Sequence, residues 1–154
     1  EEIRQWWDGP LILSGAIATG RAILAAQAMG ADLAYIGSPF IAAAEANADA
    51  AYKNAIVEGR ADDIVYSSLF TGVHGNYLKA SIVAAGLDPE KLPEGDISTM
   101  DFATGTSKTK AWRDIWGSGQ GIGAVKAMLP AGDYVAKLAA EYEAAKQELM
   151  AKAF

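Results

Sequence analysis

The chain has 154 residues, of which 51% are apolar and 21% charged, and it contains no cysteine. Its length and apolar content predict one folded domain and exclude a disordered chain. Thirteen Lys and Arg against nineteen Asp and Glu give a formal charge of −6, which argues against nucleic-acid or anionic-membrane partners. The lack of cysteine excludes disulfides and thiolate metal sites, so we expect no metal and a cytoplasmic location. No apolar stretch reaches the roughly 18 residues that a membrane-spanning helix needs.

Two short apolar runs, at residues 11–13 and 33–36, are each followed by a glycine turn. Such runs are typical of strands buried on both faces of a parallel sheet. Between them Thr19 is a candidate helix N-cap, and an apolar stripe continues to Gly30, a typical residue just past a helix end. The order strand, helix, strand predicts a right-handed βαβ unit.

The rest of the chain predicts helices and loops. We expect helices at 42–45 and 48–58, an extended segment or strand at 64–66, a helix that includes Leu78 and ends at Gly86, a loop at 87–106, a short helix at 108–116, and a final helix capped by Asp133. On that last helix one apolar face carries Tyr134, Leu138, Tyr142, Ala145 and Leu149.

Two parallel strands that are apolar on both sides leave faces and edges uncovered. Their missing neighbours must come from residues outside this sequence or from another chain. Residues 2–7 also have the pattern of a helix end rather than a chain start, so we expect a piece of a longer polypeptide.

The carboxyl ends of the two predicted strands are candidates for a phosphate site. Ser14, Gly15 and Ala16 follow the first strand, and Gly37 and Ser38 follow the second. Ligands of parallel α/β proteins bind at this end, where backbone N–H groups of glycine turns and of the next helix turn approach an anion. The alternative is that these glycines only form tight turns. An alanine at position 16 fits best if its φ is negative.

Other candidate residues give weaker signals. Residues 117–123 are glycine-rich, and they are either a weak match to a dinucleotide loop or a hinge that places Gln120 over a pocket. His74, the single histidine, is a candidate general base, although a loop histidine with local hydrogen bonds is the commoner case. We do not expect the four tryptophans to form a stacking platform, and no carboxylate pair is placed for acid–base work.

Residues 10–21 resemble the nitronate monooxygenase (2-nitropropane dioxygenase-like) family, in which a strand leads into Ser-Gly-Gly-Ile and a Gly-Arg helix. Residues 30–40 are similar to the family's Gly-Ala-Asp…Met-Gly-Thr-Arg-Phe segment. Residues 70–72 and 118–121 also resemble family segments, the latter an Ala-Gly-Gln-Gly stretch near the flavin. The four segments occur in the family's order.

The resemblance implies an α/β fold: the C-terminal portion of an FMN-dependent (β/α)8 TIM barrel, with strands 7 and 8 at 11–14 and 33–36. Residues 1–154 would be part of one FMN-binding domain, with a helical and loop region at about 40–130 and a terminal helix at about 133–152. By position, the family's phosphate contacts fall on the backbone N–H groups of Ser14, Gly15, Ala16, Gly37 and Ser38, and its flavin-adjacent glutamine falls on Gln120. The catalytic histidine of the family, in a Gly-Gly-His motif, would lie upstream of residue 1, in an N-terminal half supplied as a separate segment or chain.

The implied function is an FMN-dependent oxidoreductase that oxidises an alkyl nitronate or a related carbon acid with O2 through reduced flavin. The alternatives are an enoyl reductase or an acyl-CoA dehydrogenase-type enzyme on the same barrel, and a barrel that binds a phosphate ligand without flavin. The substrate is a small molecule, with acyl-CoA among the candidates. A homo-oligomer is left open.

Overall fold

The computed structural model describes residues 1–95 and 111–152. Four strands form two separate two-stranded sheets: β1 Ile12–Ser14, β2 Leu33–Tyr35, β3 Ile64–Ser67 and β4 Gly75–Leu78. The α-helices are α1 Gly20–Ala28, α2 Ser38–Ile41, α3 Ala50–Glu58, α4 Lys79–Ala84, α5 Ala111–Asp114 and α6 Ala131–Ala151. Short 3-10 helices cover Ile3–Gln5, Ala61–Asp63 and Gln120–Ala124.

The predicted βαβ unit is confirmed. β1 and β2 are parallel neighbours, with Ile12 opposite Leu33 and Ser14 opposite Tyr35. The helix between them starts as predicted, because the Thr19 hydroxyl accepts a hydrogen bond from the Ala22 N–H at 3.1 Å. Gly30 follows the helix with a φ of +94°, a conformation that glycine adopts without strain.

Only one face of this first sheet is covered. Leu13 and Ala34 pack with α1 residues against a small core. Because side chains alternate along a strand, the neighbours of Leu13 and Ala34 point to the opposite face of the sheet. That face is open to solvent, since Ile12, Leu33 and Tyr35 are 53%, 59% and 66% exposed. In the part of the chain that is described, neither strand pairs with a third. The expected uncovered sheet is therefore present.

The larger core lies outside the βαβ unit. Its six central residues are each at most 1% exposed: Ala42, Ile56, Leu78, Ile122, Val125 and Tyr134. Four of them come from α3, β4, the 3-10 helix at Gln120–Ala124 and α6, which are far apart in sequence, while Ala42 directly follows α2 and Val125 directly follows that 3-10 helix. This core fixes the segment 117–125 that reaches the candidate site.

The strand predicted at 64–66 is confirmed as β3, and its antiparallel partner β4 was missed. Register runs from Ile64 opposite Leu78 to Ser67 opposite Gly75. Leu78, which we assigned to a helix, ends β4, and its N–H donates to the carbonyl of Trp116 at 2.8 Å. The helix that includes residue 82 is confirmed from Lys79, and Gly86 follows it with a φ of +80°.

The helix predicted at 42–45 is wrong. The helical turn comes earlier, in α2, where Pro39 lies in the first turn and the Phe40 N–H donates to the Gly37 carbonyl. Residues 42–46 form turns. The next helix, predicted at 48–58, starts after Asp49, whose carboxylate accepts from the Tyr52 N–H at 2.9 Å.

The final helix is confirmed, but Asp133 is not its N-cap. The helix starts after Pro130, and the carboxylate of Glu45 accepts from the Ala131 N–H at 2.9 and 3.1 Å. Glu45, which lies in a distant turn, therefore caps this helix in place of Asp133. This hydrogen bond lowers the pKa of the Glu45 carboxyl. Tyr134, Leu138 and Ala145 are buried as predicted, whereas Tyr142 is half-buried and Leu149 exposed.

Helices α1 and α6 cross with almost no space between their backbones. A Cβ on Gly20 would lie 2.2 Å from the Tyr142 nitrogen and 2.3 Å from the Leu138 oxygen. The Gly20 N–H donates to the Glu141 carboxylate at 2.9 Å, and side-chain hydrogen bonds join Gln27 to Tyr142 and Arg21 to Glu148. Only glycine fits at position 20 in this crossing.

Part of the loop prediction agrees with the structure, since residues 87–95 contain no helix or strand. The remainder of that loop, the start of the short helix predicted at 108–116 and the side chain of Trp112 lie outside the described residues. Within the described ranges, no helix is both long and apolar enough to cross a membrane.

Candidate functional site

The tips of β1 and β2 open into one cavity of about 190 Å³, which we call the tip cavity. Every residue that we propose for phosphate contact lines this cavity, whereas Gln120, the candidate next to the flavin, does not. The lining is Ser14, Gly15, Ala16, Ile17, Ala18, Tyr35, Gly37, Ser38, Pro39, Gly119 and Gly121. None of these side chains is charged, so the polar groups available are backbone amides and hydroxyls.

Backbone N–H groups at both tips lack a partner. No described residue accepts a hydrogen bond from the N–H of Ala16 or Gly37. A Cβ added at Gly15 or Gly37 would meet nothing within 4 Å, so both positions face open space. The two tips therefore bring unengaged amide donors to the edge of one cavity, which is the arrangement expected of an anion site.

Ala16 has the left-handed backbone that we expected it to avoid. Its φ is +54°, and it is the one non-glycine residue with positive φ among the described residues. An L-residue in this region costs about 1–2 kcal/mol. The turn reverses over Gly15 and Ala16 together, since Gly15 has a φ of +108°. Strain of this kind concentrates at functional sites.

The glycine-rich segment 117–123, which we call the glycine loop, packs directly on these tips. The Gly119 N–H donates to the Ser38 hydroxyl oxygen at 2.8 Å. A Cβ on Gly121 would lie only 2.4 Å from the Ala16 carbonyl oxygen, so glycine is required there for close approach. Because the Ser38 oxygen accepts from Gly119, its O–H proton is left for a second acceptor.

The glycine loop is held rather than hinged. The Ser118 N–H donates to the Asn76 carbonyl at 3.1 Å, and the Tyr52 hydroxyl donates to the Gly117 carbonyl. Burial raises the pKa of the Tyr52 phenol further above neutral, so the hydroxyl is a donor over the whole physiological range. Ile122 is fully buried in the larger core. Gln120 lies between the two lining glycines with its side chain exposed, so the loop does not place it over the tip cavity.

The helix N-termini offer fewer free N–H donors to the tip cavity than we predicted. Two N–H groups in the first turn of α1 are already hydrogen-bonded, because Gly20 donates to the Glu141 carboxylate and Ala22 donates to the Thr19 hydroxyl. Helix α2 has only four residues. The available donors are therefore the amides of the tips themselves.

His74 lies away from the tip cavity. It follows a turn of the β3–β4 hairpin, where its ring stacks on Tyr66 at a centroid distance of 4.8 Å. Trp6 and Trp7 are exposed and contact each other, and Trp116 stacks on Tyr52 at 5.1 Å, so the three tryptophans whose side chains are described form no common platform. Among the residues described, no three acidic or histidine side chains lie close enough to hold a metal.

Sequence reasoning missed the contribution of Gly119, Gly121 and Tyr35. The glycine density of the loop was visible, but its contact with Ala16 and Ser38 depends on tertiary packing. Tyr35 was visible only as an apolar strand residue. Its place at the strand end, in register with Ser14, is the signal that would have identified it.

A parallel βαβ unit with glycine tips around an uncharged cavity defines an α/β protein whose strand tips are the candidate ligand site. Comparison with known proteins identifies the family within this class. The nitronate monooxygenase family profile matches residues 1–141, so the chain belongs to that family. It is 28% identical over 146 residues to the nitronate monooxygenase of Paraburkholderia phytofirmans, covering 91% of this chain and 40% of that protein.

Solved structures show the same fold. A nitroalkane oxidase from Streptomyces ansochromogenes has a TM-score of 0.73 and 26% identity, covering 96% of this chain and 43% of the other. A FabK variant from Thermotoga maritima has a TM-score of 0.69 at 20% identity, covering 97% and 47%. The chain thus spans less than half the length of each of these relatives.

Proposed function

We propose that the protein is an FMN-dependent oxidoreductase that oxidises an alkyl nitronate or a related carbon acid with O2. The observation that carries this proposal is the convergence of two glycine tips, with unengaged amides, on one cavity. Family membership and the likeness to a nitroalkane oxidase support the class of reaction.

The tip cavity fits the phosphate end of FMN. At about 190 Å³ it is smaller than the roughly 300–1,000 Å³ typical of whole-ligand pockets, so it takes a phosphate and leaves the rest of the cofactor outside. The amides of Gly15, Ala16 and Gly37 and the hydroxyls of Ser14 and Ser38 would hold the phosphate oxygens. Gln120 lies between the lining residues Gly119 and Gly121 but does not itself line the cavity. When bound, FMN supplies the electron transfer, and the protein supplies binding and orientation.

The bare face of the first sheet supports a further part of the proposal. We propose that an N-terminal half, as a segment or a second chain, completes a (β/α)8 barrel in which β1 and β2 are strands 7 and 8. Ile12 and Leu33 are exposed on this sheet. An apolar groove of about 440 Å³ also opens between α1, β2 and α6, lined by Ile23, Gln27, Ala31, Asp32, Leu33, Val135, Leu138, Ala139 and Tyr142. The catalytic base would belong to the added half, because His74 lies away from the tip cavity.

The test is made on the full-length protein. We expect it to purify with, or take up, a ligand that has a flavin absorption spectrum. It should bind FMN at least about tenfold more tightly than riboflavin, because a phosphate held by several charge-assisted hydrogen bonds contributes more than 1.4 kcal/mol.

Two matched variants locate the site. Gly37→Asp places a carboxylate in the open space of the tip cavity, and it should abolish the preference for FMN over riboflavin. Gly132→Asp introduces the same side chain into equally open space in the first turn of α6, away from the cavity, and should leave FMN binding unchanged. A protein that binds inorganic phosphate but no FMN would replace this proposal with the non-flavin phosphate barrel.

A further inference from the structure

We propose that Tyr35 forms a contact surface for the part of the cofactor that leaves the phosphate site, so that the protein selects a flavin over a small phosphate ester. This inference rests on the proposed function. It assigns a specificity role to a side chain beside the tip cavity, in addition to the amides that bind the phosphate.

Tyr35 has the required position. It is the last residue of β2, lies opposite Ser14 in the strand register and lines the tip cavity with it. The adjacent Ala34 packs with Leu13 toward α1. Because side chains alternate along a strand, the Tyr35 ring projects from the other face of the sheet, away from the helix.

The glycine loop determines which side of the cavity is open. Gly121 lies against the backbone of Ala16, and Gly119 is bonded to Ser38, so the loop covers the tips on its side. Tyr35 borders the cavity without such cover and is 66% exposed. A ligand whose phosphate fills the cavity must extend past an uncovered border, and Tyr35 is the large side chain there.

The chemistry of the side chain suits this role. Its phenol makes no hydrogen bond to any residue in the described part of the chain, and its ring is among the most exposed large side chains. An exposed aromatic ring offers a rigid apolar surface and a polar edge, and stacking on an aromatic ligand strengthens binding about tenfold or more. A small phosphate ester has no aromatic part to stack on it.

The experiment compares FMN with inorganic phosphate on the full-length protein. FMN affinity is measured by the change in flavin fluorescence, and phosphate affinity by competition against FMN. We expect Tyr35→Ala to weaken the affinity for FMN about tenfold or more and to change the dissociation constant of inorganic phosphate by less than about twofold. Tyr35→Phe should keep most of the FMN affinity, because it retains the ring.

A second exposed tyrosine supplies the control. Tyr66 is 69% exposed on β3, and Tyr66→Ala should change neither constant. Unchanged FMN affinity in Tyr35→Ala would overturn the inference, and so would an equal loss for FMN and phosphate, which would show that Tyr35 only shapes the cavity. Failure of the unmodified protein to bind FMN would instead overturn the proposed function itself.

Discussion

The βαβ unit and the region that follows it bury their apolar side chains to very different degrees. In the larger core, residues such as Ile56, Leu78 and Ile122 are at most 1% exposed. In the first sheet, Ile12 and Leu33 are more than half exposed, although both lie on strands of a parallel pair. The difference indicates that the second region is packed within this chain, whereas the first presents a surface for other strands to cover.

The candidate site lies where these two regions meet. The amide donors come from the tips of the βαβ unit, and the wall comes from Gly119 and Gly121, which the larger core anchors through Ile122. The packed region therefore holds the strained turn at Ala16 in place. Substitutions at this junction therefore test whether the packed region supports the strand tips, which substitutions within either region alone do not.

The largest effect is expected at the crossing of α1 and α6. Gly20→Ala forces a Cβ to within 2.2 Å of the α6 backbone, which must move away. We expect the free energy of unfolding of the full-length protein to fall by about 3 kcal/mol, measured by urea denaturation. Gly132→Ala is the control: its Cβ meets nothing within 4 Å in helix α6, so it should be neutral or slightly stabilising. Equal stability of the two variants would contradict the close crossing.

A smaller effect is expected at the contact between the glycine loop and the strand tip. Gly121→Ala would bring a Cβ to 2.4 Å from the Ala16 carbonyl oxygen, so the loop must lift from the tip. We expect a loss of about 1–2 kcal/mol in stability and a weaker FMN affinity, measured by denaturation and by fluorescence titration. Gly123→Ala, whose Cβ would lie 4.0 Å from the nearest atom, should change neither. If both variants bind FMN as the unmodified protein does, the loop is not part of the site.

Relief of the strained turn should have an effect of opposite sign. Ala16→Gly removes the Cβ from a residue with a φ of +54° and should raise the free energy of unfolding by about 1 kcal/mol. Ala28→Gly, at an exposed helical position in α1, should lower it by about the same amount. A destabilising Ala16→Gly would mean that this turn is not left-handed in solution.

The smallest effect concerns the opposite end of the same strands. Asp32 accepts from the Leu11 N–H at 2.8 Å and from Arg4 at 2.6 Å, and these two hydrogen bonds lower the pKa of its carboxyl. A lowered pKa means that the stabilisation is complete above the unfolded value of about 3.9 and is lost as the pH falls through the folded value. Asp32→Asn should therefore be less stable than the unmodified protein at pH 7, with a difference that shrinks toward pH 3. A constant difference in thermal midpoint across this range would contradict the assignment.

The sequence pattern correctly predicted those elements that depend only on residues close together in the chain. Thr19, Gly30 and the two apolar runs defined the βαβ unit, because a cap, a left-handed glycine and a buried strand depend on nearby residues. The candidate phosphate positions at the tips followed from the same pattern, and both tips do line one cavity.

The features that were missed depend on contacts between distant residues. Glu45 replaces Asp133 in capping α6, and β4 forms because Leu78 packs into the larger core and pairs its N–H with Trp116. Ala16 adopts a positive φ beside a backbone 105 positions away in sequence, at Gly121. No window of neighbouring residues contains this information.

The central claim is that both strand tips bind the same phosphate, and the backbone amides report on it directly. Nitrogen-15 spectra of the full-length protein should show the Gly15, Ala16 and Gly37 amide resonances shifting when FMN is added, and shifting far less with riboflavin. If FMN binds while these three resonances stay in place, the phosphate lies elsewhere and the account of the site is wrong.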